Sequence, residues 1–239
     1  MNAPRWKRVL LKISGQSLGG DGGLNLEEIE SIATQCRDVN ALGVELIVVV
    51  GGGNFIRGEM LAERGVSRIT GDYMGMIATV INALALQDKM EALDVETRVL
   101  TAIPMTEVAE PYIRRRAIRH LEKGRVVILG AGTGNPCFTT DTAASLRAAE
   151  LDAEIILKGT KVDGVYTADP HRDPDARRYE RLDYMECLAK DLRIMDATAI
   201  ALCREHSLPI CVFNIVEPGN IVRVIRGENI GTIVTDKTP

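Results

Sequence analysis

A regular alternation of short apolar runs with longer segments of helical periodicity constrains the fold of this chain most. The apolar runs predict strands at residues 8–14, 44–50, 96–103, 125–130, 154–158, 209–215 and 231–235. Apolar residues recur at helical spacing between them, which predicts helices at residues 25–43, 71–94, 112–123, 141–151, 196–207 and 218–226. Strands that alternate with helices form a mostly parallel sheet covered on both faces. The predicted fold class is therefore α/β, a three-layer α/β/α sandwich on a mostly parallel central sheet.

The bulk composition indicates a globular protein with a small-molecule ligand. The chain has 239 residues, of which 46% are hydrophobic and 26% are charged, as is ordinary for globular proteins. Its formal net charge of −4 argues against the basic surface that nucleic-acid binding needs. Its five cysteines show no Cys-x-x-Cys spacing, which predicts a reducing, cytoplasmic location. The N-terminal apolar run is short and contains a lysine, so we expect neither a signal peptide nor a membrane span there.

Two glycine turns follow the first two predicted strands. In open α/β sheets, ligands bind beyond the carboxyl ends of the strands. Lys12 lies in an otherwise apolar strand ahead of Gly15. A buried lysine is costly unless it reaches a site, although an edge-strand charge is the alternative. The run Gly51-Gly52-Gly53 lets the backbone approach an anion, and Arg57 can clamp a phosphate. A plain tight turn is the alternative there.

The stretch "GAGTGNPCFTTD" (130–141) follows another predicted strand. It is a poor dinucleotide-binding fingerprint, because Asn135 stands where G-x-G-x-x-G requires its third glycine. A Walker A loop is equally unlikely, because the one suitable glycine spacing, Gly53 to Gly58, has Glu59 in the lysine position.

The end of the same stretch has the residues of an anion site. Thr139 and Thr140 can cap the next helix and donate hydroxyls to an anion. Asp141 beside a phosphate is unfavourable unless a metal or a lysine balances its charge. The segment therefore predicts phosphates together with Mg²⁺ or lysine.

Two further segments complete the inventory. Lys158, Lys161 and Tyr166 follow the strand at 154–158 and indicate either a lid over a nucleotide or a surface hairpin. Asp196 begins a helix, where it can act as an N-cap, as a functional carboxylate or as both. Anion-binding loops with lysines, an arginine and carboxylates suit phosphoryl transfer, which depends mainly on positioning and on neutralising charge.

Five segments together resemble a known family. The segments are "LLKISG", "VVVGGGNFIRG", "GDYMGMIATVINALALQD", "GTGNPCFTTDTAA" and "KGTKVDGVYTADP". In order and spacing, from about residue 7 to residue 235, they resemble the bacterial uridylate kinases (UMP kinases) of the amino acid kinase superfamily. The resemblance implies the reaction ATP + UMP → ADP + UDP, a step of pyrimidine nucleotide biosynthesis, with Mg²⁺ held mainly through the ATP phosphates rather than directly by the protein.

The resemblance also implies an organisation. Residues 1–239 would form a single amino acid kinase domain, with the acceptor UMP in its N-terminal part and ATP in its C-terminal part. The enzyme would be a cytoplasmic homo-oligomer, typically a hexamer, with UTP as an inhibitor and GTP as a possible activator. It would need neither a nucleic acid nor a membrane.

Site residues follow from the resemblance position by position. The residues implied to contact ATP are Lys12, Ile13, Ser14, Gly15, Gly53, Arg57, Thr160, Tyr166 and Asp169. The residues implied to hold UMP are Gly52, Asp72, Thr133, Gly134, Asn135, Pro136, Cys137, Phe138, Thr139 and Thr140. The catalytic set would be Lys12 and Lys158, which neutralise the transferring phosphoryl group, with Asp141 and Asp196, which organise the lysines and the metal. Lys161 remains an alternative to Lys158.

Two departures and three alternative functions remain. Gln16 stands where the family pattern has Glu, and Cys137 replaces a bulkier residue in the acceptor loop. A kinase of a carboxylate or carbamate and a non-catalytic nucleotide sensor are possible on the same fold, and a dinucleotide-dependent oxidoreductase is disfavoured by the failed fingerprint. A second phosphate-binding loop at residues 133–140 favours UMP as the acceptor, and the full set of transfer residues disfavours a sensor.

Overall fold

A computed structural model describes residues 3–19, 23–57, 60–61, 63–168, 173, 175–190, 192 and 194–236. Within them, nine strands form one sheet: β1 (Arg8–Ile13), β2 (Glu45–Val50), β3 (Thr97–Thr101), β4 (Glu110–Pro111), β5 (Val126–Gly130), β6 (Ile155–Thr160), β7 (Arg181–Asp183), β8 (Ile210–Asn214) and β9 (Thr232–Thr235). The α-helices are α1 (Leu26–Asn40), α2 (Arg68–Glu91), α3 (Arg114–Glu122), α4 (Thr140–Glu150), α5 (Tyr184–Ala189), α6 (Ala197–Glu205) and α7 (Asn220–Ile225). A 3₁₀ turn spans Gly15–Ser17.

The sheet is parallel except at one edge. Its strand order is β4-β3-β5-β2-β1-β6-β8-β9-β7, and the β8–β9 pair is antiparallel. β1 lies at the centre between β2 and β6. The carboxyl ends of these three strands therefore meet at one edge of the sheet, and the loops that follow them lie side by side.

Helices cover both faces of the sheet. On one face, α1, α2 and α7 pack on a core that includes Leu11, Val48 and Leu157. On the other face, α3, α4, α5 and α6 pack on a core that includes Leu10 and Ile156. Neighbouring residues of one strand point to opposite faces, and β1 is accordingly buried on both. The predicted three-layer α/β/α sandwich is confirmed.

The observed elements agree with the predicted ones except where an element is very short. β4 and β7 have only two and three residues, too few to show a period of two. The six-residue α5 starts directly after β7 with an Asp183–Glu186 capping box and was also not predicted. α2 begins at Arg68 rather than at residue 71, because Ser67 caps it by accepting a hydrogen bond from the Thr70 amide.

α2 is long and apolar enough, by length and composition alone, to cross a membrane. Its buried face nevertheless packs on α1 and on the sheet, with Ala83, Leu86 and Met90 in the core. It also carries a fully buried polar side chain, Asn82. These contacts identify α2 as a core helix of the fold.

Candidate active site

The centre of the site is a carboxylate held between two lysines. Lys12 on β1 and Lys158 on β6 are register partners, so both side chains leave the same face of the sheet. Asp141 lies in the first turn of α4. Its Oδ1 is 2.7 Å from Lys12 Nζ, and its Oδ2 accepts a 2.9 Å hydrogen bond from Lys158 Nζ. Lys158 also donates to the carbonyl of Ile194.

Burial makes this centre electrostatically strong. Burial by itself raises the pKa of Asp141, but the charges of Lys12 and Lys158 outweigh it, and the pKa lies below its ordinary value. Burial lowers the pKa of Lys158, as does the nearby Lys12 charge, while Asp141 opposes both; the pKa of Lys158 lies below its ordinary value. One carboxylate between two ammonium groups leaves a formal charge of +1, which favours an incoming anion and is partly offset by the Asp196 carboxylate near Lys158.

The beginnings of α4 and α6 are joined through Asp196. Asp196 caps α6 by accepting from the Ala199 amide at 3.0 Å, and it also accepts from the hydroxyls of Thr139 at 2.5 Å and Thr142 at 2.9 Å. Thr139 in turn caps α4 by accepting from the amides of Asp141 and Thr142. Asp196 is thus both an N-cap and a side chain of the site. Its hydrogen bonds among the described residues join it to the threonines rather than to the lysines.

A cavity of about 330 Å³ opens beside this centre. We call it the acceptor cavity; it lies between the loop after β2, the first half of α2 and the loop after β5. Its lining residues are Gly52, Gly53, Ile56, Arg57, Arg68, Gly71, Asp72, Gly75, Met76, Thr79, Gly132, Thr133, Phe138, Thr139 and Thr140. Most of the residues expected to hold UMP therefore lie together. Gly53 and Arg57, which were expected to contact ATP, line the same cavity and mark the side where the two substrates would meet.

The loop between β5 and α4 is held in a bent conformation. Gly132, Gly134 and Cys137 have φ of 55°, 81° and 70°, a left-handed conformation that is uncommon for a residue with a side chain. The Cys137 amide donates to Asp72 Oδ2 at 2.8 Å, while Arg68 Nε donates to Asp72 Oδ1 at 2.9 Å. Asp72 therefore fixes the tip of this loop against α2. The residues between Thr133 and Phe138, which are Gly134, Asn135, Pro136 and Cys137, lie on the loop outside the cavity lining.

The three consecutive glycines after β2 have different roles. A Cβ on Gly51 would lie 2.9 Å from a backbone nitrogen of the loop after β1, and a Cβ on Gly52 would lie 2.6 Å from the carbonyl of Gly75. Close packing thus explains these two glycines. A Cβ on Gly53 would meet its nearest atom only at 3.9 Å, so Gly53 faces open space. The prediction that these glycines let the backbone approach a ligand therefore applies best to Gly53. At Gly51 and Gly52, close packing against other parts of the protein is already a reason for glycine.

Residues expected to contact ATP surround the ends of β1 and β6. The side chain of Ile13 is fully buried, and its carbonyl accepts from the Gly51 amide at 2.9 Å, so its side chain is not available to a ligand. Ser14 leads into the 3₁₀ turn that begins at Gly15. Thr160, the last residue of β6, donates to the carbonyl of Val162 at 2.7 Å.

Tyr166, in the segment after β6, makes two contacts with described residues. The Tyr166 hydroxyl donates to Asp163 Oδ1 at 2.8 Å, and the strand-like segment around Tyr166 pairs with Arg178. This pairing joins Tyr166 to a residue twelve positions further along the chain, not to one within the lysine-rich segment itself, and both the surface-hairpin and the lid interpretations of that segment stay predictions. Asp169 lies outside the described residues, and Gln16 is exposed in the 3₁₀ turn.

A second cavity of about 340 Å³ lies on the other side of Asp141. Its polar end is formed by Asp141 and Asp196. Its remaining lining residues are Cys187, Leu188, Leu192, Met195, Ala197 and Ile200. The first turn of α4 thus borders both spaces, through Thr140 in the acceptor cavity and Asp141 in the second one.

The donor set suits a metal that arrives with phosphates. Among the described residues, no group of three or more His, Cys, Asp or Glu side chains is arranged to hold a metal ion. Both oxygens of Asp141 already face lysines. That Mg²⁺ is held mainly by ATP phosphates stays a prediction.

Sequence reasoning missed several polar residues that shape the site. Thr79 on α2 accepts a 2.7 Å hydrogen bond from the Ala131 amide at the start of the loop after β5. Asn82 and Asn54 are both buried and bonded to each other. Asn82 had a detectable signal, because it is a polar residue within the apolar stretch "TVINALAL", comparable with Lys12 in β1.

Comparison with known proteins agrees with this geometry. The sequence matches the amino acid kinase family over residues 7–214. The structure is similar to that of UMP kinase from Bacillus anthracis, with a TM-score of 0.95 and 40% identity over 98% of this chain and 97% of that one. It is also similar to UMP kinase from Ureaplasma parvum, with a TM-score of 0.92 and 40% identity over 97% of this chain and 100% of that one.

A third solved structure is more distant. It is a uridylate kinase from Archaeoglobus fulgidus, with a TM-score of 0.75 and 29% identity over 95% of this chain and 99% of that one. The resemblance seen in the sequence is confirmed over essentially the whole length. The chain therefore belongs to the amino acid kinase family.

Proposed function

We propose that this protein phosphorylates UMP, taking the γ-phosphoryl group of ATP and releasing UDP and ADP. The observation that carries this proposal is the buried Lys12–Asp141–Lys158 centre next to the acceptor cavity. Full-length similarity to two UMP kinases at 40% identity supports UMP as the acceptor. The reaction would serve pyrimidine nucleotide biosynthesis.

The two lysines would stabilise the transferring group directly. Phosphoryl transfer requires charge neutralisation and alignment of the two oxygens rather than a protein nucleophile. Asp141 holds both ammonium groups in place before substrate arrives, so little reorganisation is needed during the reaction. The low polarity around these buried side chains strengthens their attraction for the phosphoryl oxygens.

We place UMP in the acceptor cavity. Its volume of about 330 Å³ is within the usual range for small-ligand sites. Arg57 and Arg68 line it and can meet the UMP phosphate, and the loop at residues 133–140 closes one side. Thr139 lies at the cavity and also contacts Asp196, which joins the acceptor side to the transfer centre.

We place the ATP phosphates over the ends of β1 and β6, near Lys12, Gly15, Gly53 and Thr160. Mg²⁺ bound to those phosphates would supply further neutralisation of their charge. The assignments of Tyr166 and Asp169 to ATP are kept on the family resemblance. In this arrangement the acceptor lies against the N-terminal part of the chain, and ATP lies across loops of both the N-terminal and the C-terminal parts.

We further propose a cytoplasmic homo-oligomer. The exposed side of α2 carries Ile69, Tyr73, Ile77 and Ile81 at a constant spacing of four residues, and such a ridge suits packing against an identical helix. A hexamer, inhibition by UTP and activation by GTP are proposed from the resemblance.

An ADP-release assay with ATP and Mg²⁺ tests the function. UMP, CMP, dUMP, aspartate and acetylglutamate are offered in parallel. We expect turnover with UMP and none with the two amino acids. Turnover of an amino acid would indicate a carboxylate kinase, and nucleotide binding without any turnover would indicate a sensor.

A further inference from the structure

A buried amide pair lies directly beneath the glycine run after β2. Asn82, in the second half of α2, is 0% exposed, and Asn54 is 5% exposed. Asn82 Nδ2 donates to Asn54 Oδ1 at 2.8 Å, and Asn54 Nδ2 donates to Asn82 Oδ1 at 3.0 Å. Buried amides require such partners, so the position of each side chain depends on the other.

The pair also bonds to two loops of the site. Asn82 Nδ2 donates to the carbonyl of Gly51 at 2.6 Å. Asn54 Nδ2 donates to the carbonyl of Gly23, in the segment after β1, at 3.1 Å. A Cβ on Gly15 would lie 2.7 Å from Asn54 Oδ1, so the start of that segment packs on the same amide. One pair therefore joins α2 to the loops after both β1 and β2.

The two residues between these anchors line the acceptor cavity. Gly52 and Gly53 lie between Gly51, whose carbonyl is bound by Asn82, and Asn54 itself. Glycines have no side chains to hold them and have the widest conformational freedom. The position of this two-residue stretch is consequently set from both ends by the amide pair.

We propose that Asn54 and Asn82 are positioning residues for phosphoryl transfer. They fix the backbone of Gly52 and Gly53, where acceptor and donor meet, against the loop that starts at Gly15. Neither side chain lines the acceptor cavity, so both act through the glycine backbone. This inference rests on the proposed function, since it concerns the same two substrates.

The Asn54–Asn82 pair would control how the reacting groups of the two substrates are aligned. A displacement of about 1 Å far from the reacting atoms can cost roughly 10²-fold in rate. A pair that only stabilised the fold would lower the melting temperature and leave the turnover of the folded enzyme unchanged. A lower kcat in enzyme that is still folded, measured beside the melting temperature, separates positioning from stabilisation of the fold.

The experiment uses Asn82→Ala, Asn54→Ala and the double variant. Asn40→Ala is the matched control, because Asn40 Nδ2 donates to the carbonyl of Gly124 at 2.9 Å, at the amino end of the sheet. Steady-state kcat, KM for UMP and for ATP, and the melting temperature are measured for each, with kinetics well below every melting temperature.

Asn82→Ala should lower kcat about tenfold or more, in line with the cost of misalignment. Asn54→Ala, which leaves the Asn82–Gly51 bond, should have a smaller effect. The double variant should be no slower than Asn82→Ala, because the two residues act as a unit. Asn40→Ala should change the melting temperature and leave kcat within about twofold of the wild type, as expected for a bond remote from the site.

Unchanged kcat in folded Asn82→Ala and Asn54→Ala would overturn the inference. If Asn82→Ala does not fold, Asn54→Ala decides alone. Wild-type enzyme that does not phosphorylate UMP would overturn the proposed function, and the inference with it. Active wild type with unaffected variants would overturn only the inference.

Discussion

Single charged residues hold the transfer centre together, and they come from three separate elements. Lys12 and Lys158 stand on adjacent strands, and Asp141 stands at the start of a helix that crosses them. The Lys158–Asp141 contact of 2.9 Å also bears on the choice between Lys158 and Lys161, because Lys161 is exposed. Lys158 is therefore the lysine placed to act with Lys12.

Removing either central lysine should affect the chemical step. Lys12→Ala and Lys158→Ala should each lower kcat roughly 10²-fold or more, the scale for losing an electrostatic stabiliser of the transition state. Lys161→Ala, and Lys7→Ala at an exposed position, should change kcat little. Steady-state kinetics with UMP and ATP measure this. A change confined to KM would move the residue from chemistry to binding.

Because of Asp141, the free energy of unfolding should decrease as the pH falls in the acid range. Its pKa is lowered in the folded state relative to about 3.9 in the unfolded chain. The ionised Asp141 carboxylate therefore contributes fully to the free energy of unfolding above about pH 4. This contribution is lost as the pH falls through the lower pKa of the folded state. Asp141→Asn should cost about 3–5 kcal/mol at pH 7, as for other broken buried ion pairs.

The difference in free energy of unfolding between the wild type and Asp141→Asn should shrink as the pH approaches 3. Chemical denaturation of both proteins from pH 7 to pH 3 measures it. A difference that stayed constant over this range would contradict the assigned pKa direction.

Cys137 should be the cysteine that reacts first with an alkylating reagent. It is exposed, while the other four cysteines are buried. Burial raises the pKa of Cys36 and Cys211 to about 12 and of Cys187 and Cys203 to about 11, which suppresses their reactive thiolates. Iodoacetamide should label Cys137 and inhibit the enzyme, and UMP should protect it.

Peptide mapping by mass spectrometry locates the label. Cys137→Ser is the control and should resist inhibition. Full activity of the wild type after alkylation, with no protection by UMP, would count against a position of Cys137 at the acceptor.

Two elements organise the site by their ends and their buried faces. α2 holds the loop after β5 through Asp72 and Thr79 and the loop after β2 through Asn82. α4 places Asp141 two residues after its cap, Thr139, in the first turn. A shift of either helix would therefore move several loops of the site together.

Substitution of Thr139, the N-cap of α4, tests how this helix start supports the site. Thr139→Val removes an oxygen that accepts from two amides and donates to Asp196. Loss of an N-cap costs about 1 kcal/mol, and we also expect a higher KM for UMP, because Thr139 lines the acceptor cavity. Thr139→Ser keeps the oxygen and should restore both. Equal behaviour of the Val and Ser variants in melting and kinetics would exclude this role.

The proposed homo-oligomer would form through the exposed ridge on α2. The exposed ridge on α2 is on the same helix as Asp72 and Asn82 of the site, so any contact made through it would bear on the acceptor cavity. Ile77, at its middle, is 48% exposed. A charge buried in such an interface is costly.

Ile77→Glu should dissociate the proposed homo-oligomer. Leu26→Glu, at a residue that is 57% exposed on the first turn of α1, is the control and should not. Light scattering after size exclusion measures the mass of each variant. An unchanged oligomer in Ile77→Glu would remove α2 from the interface.

Most of the sheet could be predicted because each long element has its own local signal. Apolar runs rich in β-branched residues, such as "ELIVVV", favour strands, and Thr139 and Asp196 cap helices through neighbouring amides. β4, β7 and α5 could not be predicted in this way, since they have too few residues to show a period. β4 and β7 form by pairing with β3 and β9, and α5 starts at its Asp183–Glu186 capping box.

The amino-acid sequence was enough to predict the α/β class, the glycine loops at strand ends and the set of charged residues suited to phosphate. Those properties depend on residue type and on spacing along a few turns of chain. Only the tertiary structure decided that Lys12 and Lys158 share Asp141, that Asp196 binds Thr139 and Thr142, and that Asn54 and Asn82 form a pair. These contacts join residues up to 129 positions apart in the Lys12–Asp141 case, and their geometry depends on strand order and helix packing, which local periodicity does not specify.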